Sequence, residues 1–293
     1  MITQKKLNLL FIIIIILSFI IGLIINENSS GGALTDFVYI FGNFKLFLAS
    51  DSVWDIPWEN YNSSSLPLYY LVLDVFFSDP LKLNLIITNI ILISLSVYFF
   101  YLTIKKVVTL KKFEKSYLLL ISFILLLSPY TRSSTFWGLE EIIGICNFII
   151  TLYFFFEYKN NNKFSYLILT IFFSCMALFS RQSYSFLILF IFYEVIDLKK
   201  ILIKKNLLII LSFIIFLTPS IYVFYQWEGF LPPIAIEKGR SLSVYFQNIP
   251  VILSISLIYL IPFMFLSFNN LREFQNFFIK RIFTLSISSI FFL

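Results

Sequence analysis

The sequence predicts an all-α, polytopic membrane protein: a bundle of about nine transmembrane helices with two shorter helices lying along the outer surface. Three observations predict it. The 293 residues are 59% hydrophobic and only 13% charged, with a mean hydropathy of +0.91, which is too little polar surface to cover a soluble globule. Long apolar runs recur along the chain, as spanning helices of about 20 residues require. Lys and Arg gather in alternate connections between those runs, the pattern of a chain that weaves across a bilayer with its basic loops on one side.

The first span is Leu7–Asn26, preceded by Lys5 and Lys6. Its apolar core exceeds the roughly 7–15 residues of a signal-peptide core and no A-x-A site follows, so it reads as an anchor with a cytoplasmic N-terminus. Later spans are predicted at Asn84–Ile104, Ser116–Leu127, Leu139–Phe156, Phe164–Phe179, Tyr184–Ile196, Leu207–Tyr225, Val251–Phe268 and Ile282–Leu293. The basic stretches Lys105–Lys115, Lys159–Lys163, Asp197–Asn206 and Leu271–Arg281 are then all cytoplasmic.

That assignment requires one apolar piece not to cross. Leu66–Phe77 is about 12 residues long, is interrupted by Asp74 and is closed by Asp79-Pro80, so it reads as an interfacial helix. "DFVYIFGNFKLFLA" before it reads as a second, with Phe37, Phe41, Phe44 and Phe47 or Leu48 at helical spacing and their aromatic face turned to the membrane. The outer segments are residues 27–83, 128–138, 180–183 and 226–248. They hold or border most of the unusual ionisable residues and all four Trp, and ionisable groups at a membrane edge are candidates for function.

Composition also excludes chemistries. The chain has no His, which removes imidazole bases, imidazole metal ligands and any Ser-His-Asp triad. Cys146 and Cys175 sit within apolar runs and read as packing residues. No Walker loop, GxGxxG, CxxC pair, HExxH or DxD occurs. The net charge of +6 lies chiefly in the cytoplasmic loops, where it suits contact with anionic membrane lipid and not nucleic acid.

The order of parts resembles the GT-C glycosyltransferases, membrane enzymes that take a sugar from a polyprenyl-phosphate carrier. "TDFVYIFGNF" resembles their first outer loop with its acidic residue, "SSLPLYYLVL" their second juxtamembrane helix, and "QWEGFLPPIAIEKGR" follows the seventh predicted span as their late outer loop does. Within that superfamily the chain is most similar to the dolichyl-phosphate-glucose-dependent α-1,2-glucosyltransferase type. The shared order is Asp36, "WD" at Trp54-Asp55, "NSSSLPLY" ending at Tyr69, "RQS" beginning at Arg181-Gln182, and "WEG" beginning at Trp227. It departs from that type in having Phe37 after Asp36, where an acidic pair is common, and in lacking a late-loop His, which leaves the sugar and the acceptor open. The resemblance implies a single domain over residues 1–293, a lipid-phosphate-sugar donor, no metal or other cofactor, and a glycan or lipid acceptor.

Elementary chemistry points the same way. Moving a sugar from a lipid phosphate to a hydroxyl needs a base for the acceptor proton and positive charge for the departing phosphate. A carboxylate near an apolar boundary is a fair base, and Asp36 suits the role, with capping of the following helix as its structural alternative. Asp55 is the substitute, although "WDIP" also fits a turn in which Asp bonds its own backbone. For the phosphate, Arg181, Arg132, Lys238 and Arg240 are the candidate cations; Lys238 and Arg240 fit a solvated loop cluster equally well, and Arg181 fits snorkelling. Glu140 and Glu141 open a span, which favours their charge at a helix N-terminus, or else they orient the acceptor or hold an Arg.

A multi-span transporter or lipid-linked-sugar flippase is the rival class. Such proteins show internal repeats and broken helices at the midplane, whereas here no repeat is visible and the charges gather at one face. The chain stops inside "IFTLSISSIFFL", as either a fragment or an abrupt end in the membrane. The predicted location is a multi-pass integral membrane protein, in the inner membrane if the cell is bacterial.

Overall fold

The computed structural model describes residues 4–107, 115–196, 203–237 and 239, all within the first of two compact units, Met1–Arg240. Among them there is no β-strand. The helices are α1 (Gln4–Ile24), α2 (Ala33–Leu48), α3 (Leu68–Phe76), α4 (Lys82–Val107), α5 (Lys115–Phe123), α6 (Pro129–Trp137), α7 (Glu141–Asn161), α8 (Phe164–Ser180), α9 (Ser185–Val195), α10 (Lys204–Gln226) and α11 (Pro233–Glu237).

Four of them, α1, α4, α7 and α10, are long and apolar enough to cross a membrane, and the bent pair α5–α6 makes a fifth if it counts as one span. Seven of the nine expected spans fall on described residues, and four or five of those meet this length and composition. The predicted spans at Phe164–Phe179 and Tyr184–Ile196 are helical, but α8 has 17 residues and α9 with its preceding turn, Gln182–Val195, is shorter still. The predicted spans Val251–Phe268 and Ile282–Leu293 lie outside the described residues.

The centre of the bundle is α7. Of its apolar window 61% is buried, against 22–33% in α1, α4 and α10, because α4 and α8 flank it on two sides. On α1 the buried residues Asn8, Ile12, Ile15 and Phe19 recur at helical spacing. Leu9, Leu10, Ile13, Ile14, Leu17 and Ile21 on its other faces are exposed, as lipid-facing side chains would be in a spanning helix.

The segment 128–138, expected as an outer loop, is instead α6, set at 64° to Lys115–Leu127. The break has a local cause. Ser128 precedes Pro129 and is extended, with ψ 122, as a residue before proline tends to be. Its hydroxyl then accepts from the Thr131 amide at 3.5 Å, and Pro129 begins the new helix. Gly138 ends it at φ 69, a left-handed conformation suited to glycine. A side chain at Gly138 would also strike Leu85 of α4. The Asn89 amide donates to the carbonyls of Ser134 and Leu139 at 3.0 and 2.7 Å, fixing α6 on α4.

Both short helices expected between the first two spans are present, as α2 and α3. The aromatic face of α2, however, packs on protein. Phe44 and Phe47 are buried, Phe47 lies 5.3 Å from the Tyr70 ring, and Trp58, Tyr61 and Trp227 complete the cluster. Phe37 and Phe41, stacked 5.4 Å apart, are partly buried against the same core. The aromatics that helical spacing placed on one face find these partners because the chain between α2 and α3 folds back over them.

Candidate functional site

Helix α2 starts three residues earlier than expected. Gly31 and Gly32 take φ 73 and 74, Gly32 is the N-cap, and its carbonyl accepts from the Thr35 and Asp36 amides at 2.9 and 3.1 Å. The Asn28 side chain accepts from the Ala33 amide at 3.2 Å. Asn28 therefore supplies the side-chain cap, and Asp36 stands in the first turn. Asp36 is exposed and hydrogen-bonds to no other described side chain.

Glu140 and Glu141 follow the Gly138 turn at the start of α7. Glu140 is only 9% exposed, and it accepts from the hydroxyls of Ser63 and Tyr70, each at 2.6 Å. The network extends further. Tyr70 accepts from the Asn43 amide group at 3.2 Å, Asn43 Oδ1 accepts from the Asn62 backbone at 2.9 Å, and Ser63 Oγ accepts from the Ser65 backbone at 2.9 Å. A buried carboxylate is tolerable when donors satisfy it, and here they also pin residues 62–65 to α2, α3 and α7. Burial first, then the charge of Glu140, raises the Tyr70 pKa well above the ordinary tyrosine value, so the phenol remains a donor.

Arg181 follows the last residue of α8 with an extended backbone, φ −157 and ψ 130. Its guanidinium donates to the Tyr130 hydroxyl of α6 at 3.4 Å. Close approach of α7 to this corner depends on Gly144, where a Cβ would meet Ser180 Oγ and Tyr184 Cε2, each at 2.7 Å.

These pieces enclose two adjoining cavities. The larger, about 210 Å³, is lined by Asp36, Tyr39, the run Asn62–Ser65, Glu140, Glu141 and Arg181, with Ile234 and Ala235 beside them. The smaller, about 120 Å³, adds Tyr130, Gly144, Ser180 and Tyr184 and shares Ser65, Glu140, Glu141 and Arg181 with the first. The site thus unites a free carboxylate, a satisfied carboxylate, a third at the junction, one guanidinium and several hydroxyls. Among the described residues no group of three His, Cys, Asp or Glu is arranged to hold a metal ion.

Of the residues singled out from the sequence, Asp36, Glu140, Glu141 and Arg181 meet at the cavities. Asp55, Arg132, Tyr69, Trp227 and Gln182 line neither. Asp55 is exposed and accepts from Ser52 Oγ at 2.6 Å within a short 3-10 turn, so a turn is present at "WDIP" but the Asp55 partner is the Ser52 hydroxyl and not its own backbone. Arg132 is buried in an ion pair with Glu27 and also donates to the Ser18 carbonyl at 2.8 Å. The Tyr69 hydroxyl lies 3.3 and 3.2 Å from the Leu85 and Gly138 carbonyls. Trp227 is stacked on Tyr61 at 5.9 Å, and Gln182 donates to the Phe230 carbonyl at 3.3 Å. Lys238 and Arg240 lie outside the described residues. Tyr39, Tyr70, Tyr130 and Ser63 were not anticipated. The second Tyr of "LPLYY" and the hydroxyl-rich "NSSS" are the only signals that pointed toward two of them.

No protein-family model, curated protein or solved structure matches the chain.

Proposed function

We propose that this chain is a membrane glycosyltransferase that moves a sugar from a polyprenyl-phosphate carrier to a hydroxyl of a glycan or lipid acceptor. The observation that carries the reading is that Asp36 and Arg181, 145 positions apart by their numbers, line one cavity. In the reaction Asp36 takes the acceptor proton as the hydroxyl oxygen bonds to the anomeric carbon. The bond from that carbon to the phosphate oxygen breaks, and the phosphate departs as an anion facing Arg181. The donor is a substrate, and the proposed chemistry calls for no other cofactor.

The topology proposed with it is a GT-C-like bundle of about nine spans with α2 and α3 beside the membrane. In α7 the cavity residues Glu140 and Glu141 stand at one end and Lys159 at the other. Lys106 pairs with Glu157 at 2.7 Å and Lys159 with Glu194 at 2.7 Å at that second end. The positive-inside rule assigns the lysine end to the cytoplasm and the cavity to the outer face.

The test is turnover of radiolabelled polyprenyl-phosphate sugars by the purified protein in detergent. Release of free polyprenyl phosphate with labelled product supports the reading. Transbilayer movement of an intact lipid-linked sugar in proteoliposomes, with no cleavage of any donor, would replace it with the flippase.

A further inference from the structure

The larger cavity has a charge balance of its own. Its described carboxylate and guanidinium lining consists of Asp36, Glu140, Glu141 and Arg181, three carboxylates against one guanidinium. The carboxylates are not equivalent. Glu140 is satisfied by Ser63 and Tyr70, while Glu141 Oε2 is buried without a hydrogen-bond partner among the described residues. Glu141 is partly exposed as a residue and lines both cavities.

The rest of the lining is hydroxyl and amide, from Tyr39, Asn62 and Ser63–Ser65. At about 210 Å³ the space is below the roughly 300–1,000 Å³ of pockets for drug-sized ligands, a scale suited to a single sugar ring. Like charges brought together in a confined site are strongly disfavoured, and the described lining carries three carboxylates against one guanidinium.

We infer that the larger cavity receives a polyhydroxylated group without negative charge, a neutral or ammonium-bearing sugar. The inference rests on the transferase reading only in identifying that sugar as the acceptor. Arg181, at the junction with the smaller cavity, is then left for the anionic donor.

The experiment compares three probes on the full chain in nanodiscs by ligand-observed NMR: methyl glucoside, glucosamine and glucuronate. At low ionic strength glucosamine and methyl glucoside bind, and glucuronate binds at least about tenfold more weakly; about 0.5 M salt narrows the gap between the two charged probes. Glu141→Gln narrows the gap between glucuronate and methyl glucoside. Should that variant fail to fold, Asp36→Asn reads the same charge balance, and glucuronate must again gain on methyl glucoside. Glucuronate binding as tightly as methyl glucoside, no binding of any probe, or an unchanged gap between glucuronate and methyl glucoside in both variants overturns the inference. If no lipid-phosphate donor is ever cleaved while the order holds, the transferase reading fails and this one stands. Efficient transfer onto a uronate acceptor does the reverse.

Discussion

Tyr70 and Glu140 are 70 residues apart in the chain and 2.6 Å apart in space, the phenol donating to the carboxylate. Through this bond and its Ser63 counterpart, one carboxylate holds the wall of the cavity to α3 and to the start of α7. Tyr70→Phe leaves Glu140 buried with one donor fewer, at a cost of about 1–3 kcal/mol. Thermal unfolding in detergent measures the loss. Paired with Ser63→Ala in a double-mutant cycle, the two changes should couple by at least about 0.5 kcal/mol; strict additivity would show that the network does not act as a unit.

Asp36 and Asn28 separate catalysis from capping. Asp36→Asn preserves shape and removes the proton acceptor, so turnover at saturating donor falls by about 10²-fold or more with the melting temperature unchanged. Asn28→Ala removes the bond to the Ala33 amide and lowers stability by about 1 kcal/mol. Near-normal turnover in Asp36→Asn would eliminate Asp36 as the base.

Arg181→Ala removes a charge-assisted contact to the donor phosphate, weakening lipid-phosphate-sugar binding by about 1.5–3 kcal/mol. Donor titration in detergent reads it directly. Unchanged affinity would return Arg181 to a snorkelling role.

Glu27 predicts an acid-dependent stability. Its hydrogen bond from Arg132, the largest influence, holds the carboxyl below its ordinary value of 4.5. The unfolded chain therefore binds the proton more readily than the folded one. The contribution is fully present above about pH 4.5 and is lost as pH falls through the lower, folded value. Melting temperatures across that acid window should fall less steeply in Glu27→Gln than in the parent chain.

Sidedness is open to direct labelling. Thr35 and Lys163 are both exposed and sit at the two ends of the bundle, separated by α7, about 30 Å long. Cys146 and Cys175 are buried, so the background is low. Thr35→Cys should react with an impermeant thiol reagent from outside intact cells, and Lys163→Cys only after the membrane is opened. The reverse pattern would move the cavity to the cytoplasmic face.

The spans near α1, α4, α7 and α10 were legible because burial in lipid or core demands apolar length, and that demand is written residue by residue. So were Asp36, Glu140, Glu141 and Arg181, since charge at the edge of an apolar run has a cost wherever it sits. What sequence did not yield was partnership. Arg132 and Arg181 look alike on paper, yet one is satisfied by Glu27 and the other borders a cavity. Helical spacing showed that α2 has an aromatic face but not that Tyr61, Tyr70 and Trp227 would cover it. The start of α2 was misjudged for a related reason: its side-chain cap, Asn28, acts across two glycines from outside the helix. The α6 helix carried its Ser-Pro start and Gly stop in plain view, but its polar residues suggested a loop until burial against α4 and α1 showed them packed.

The pairing of Arg132 with Glu27 also sets an order of events during biosynthesis. Glu27 leaves the ribosome 105 residues ahead of its partner, when α1 is already available to enter the membrane. Until α6 is made, α1 is held by its apolar stripe and no ionic clasp. The clasp closes against Gly22, where any side chain would meet Glu27, Arg132 and Phe136 together. A bulkier residue there would leave insertion of α1 intact and obstruct its docking on α6, while α4, α7 and α8 still pack together.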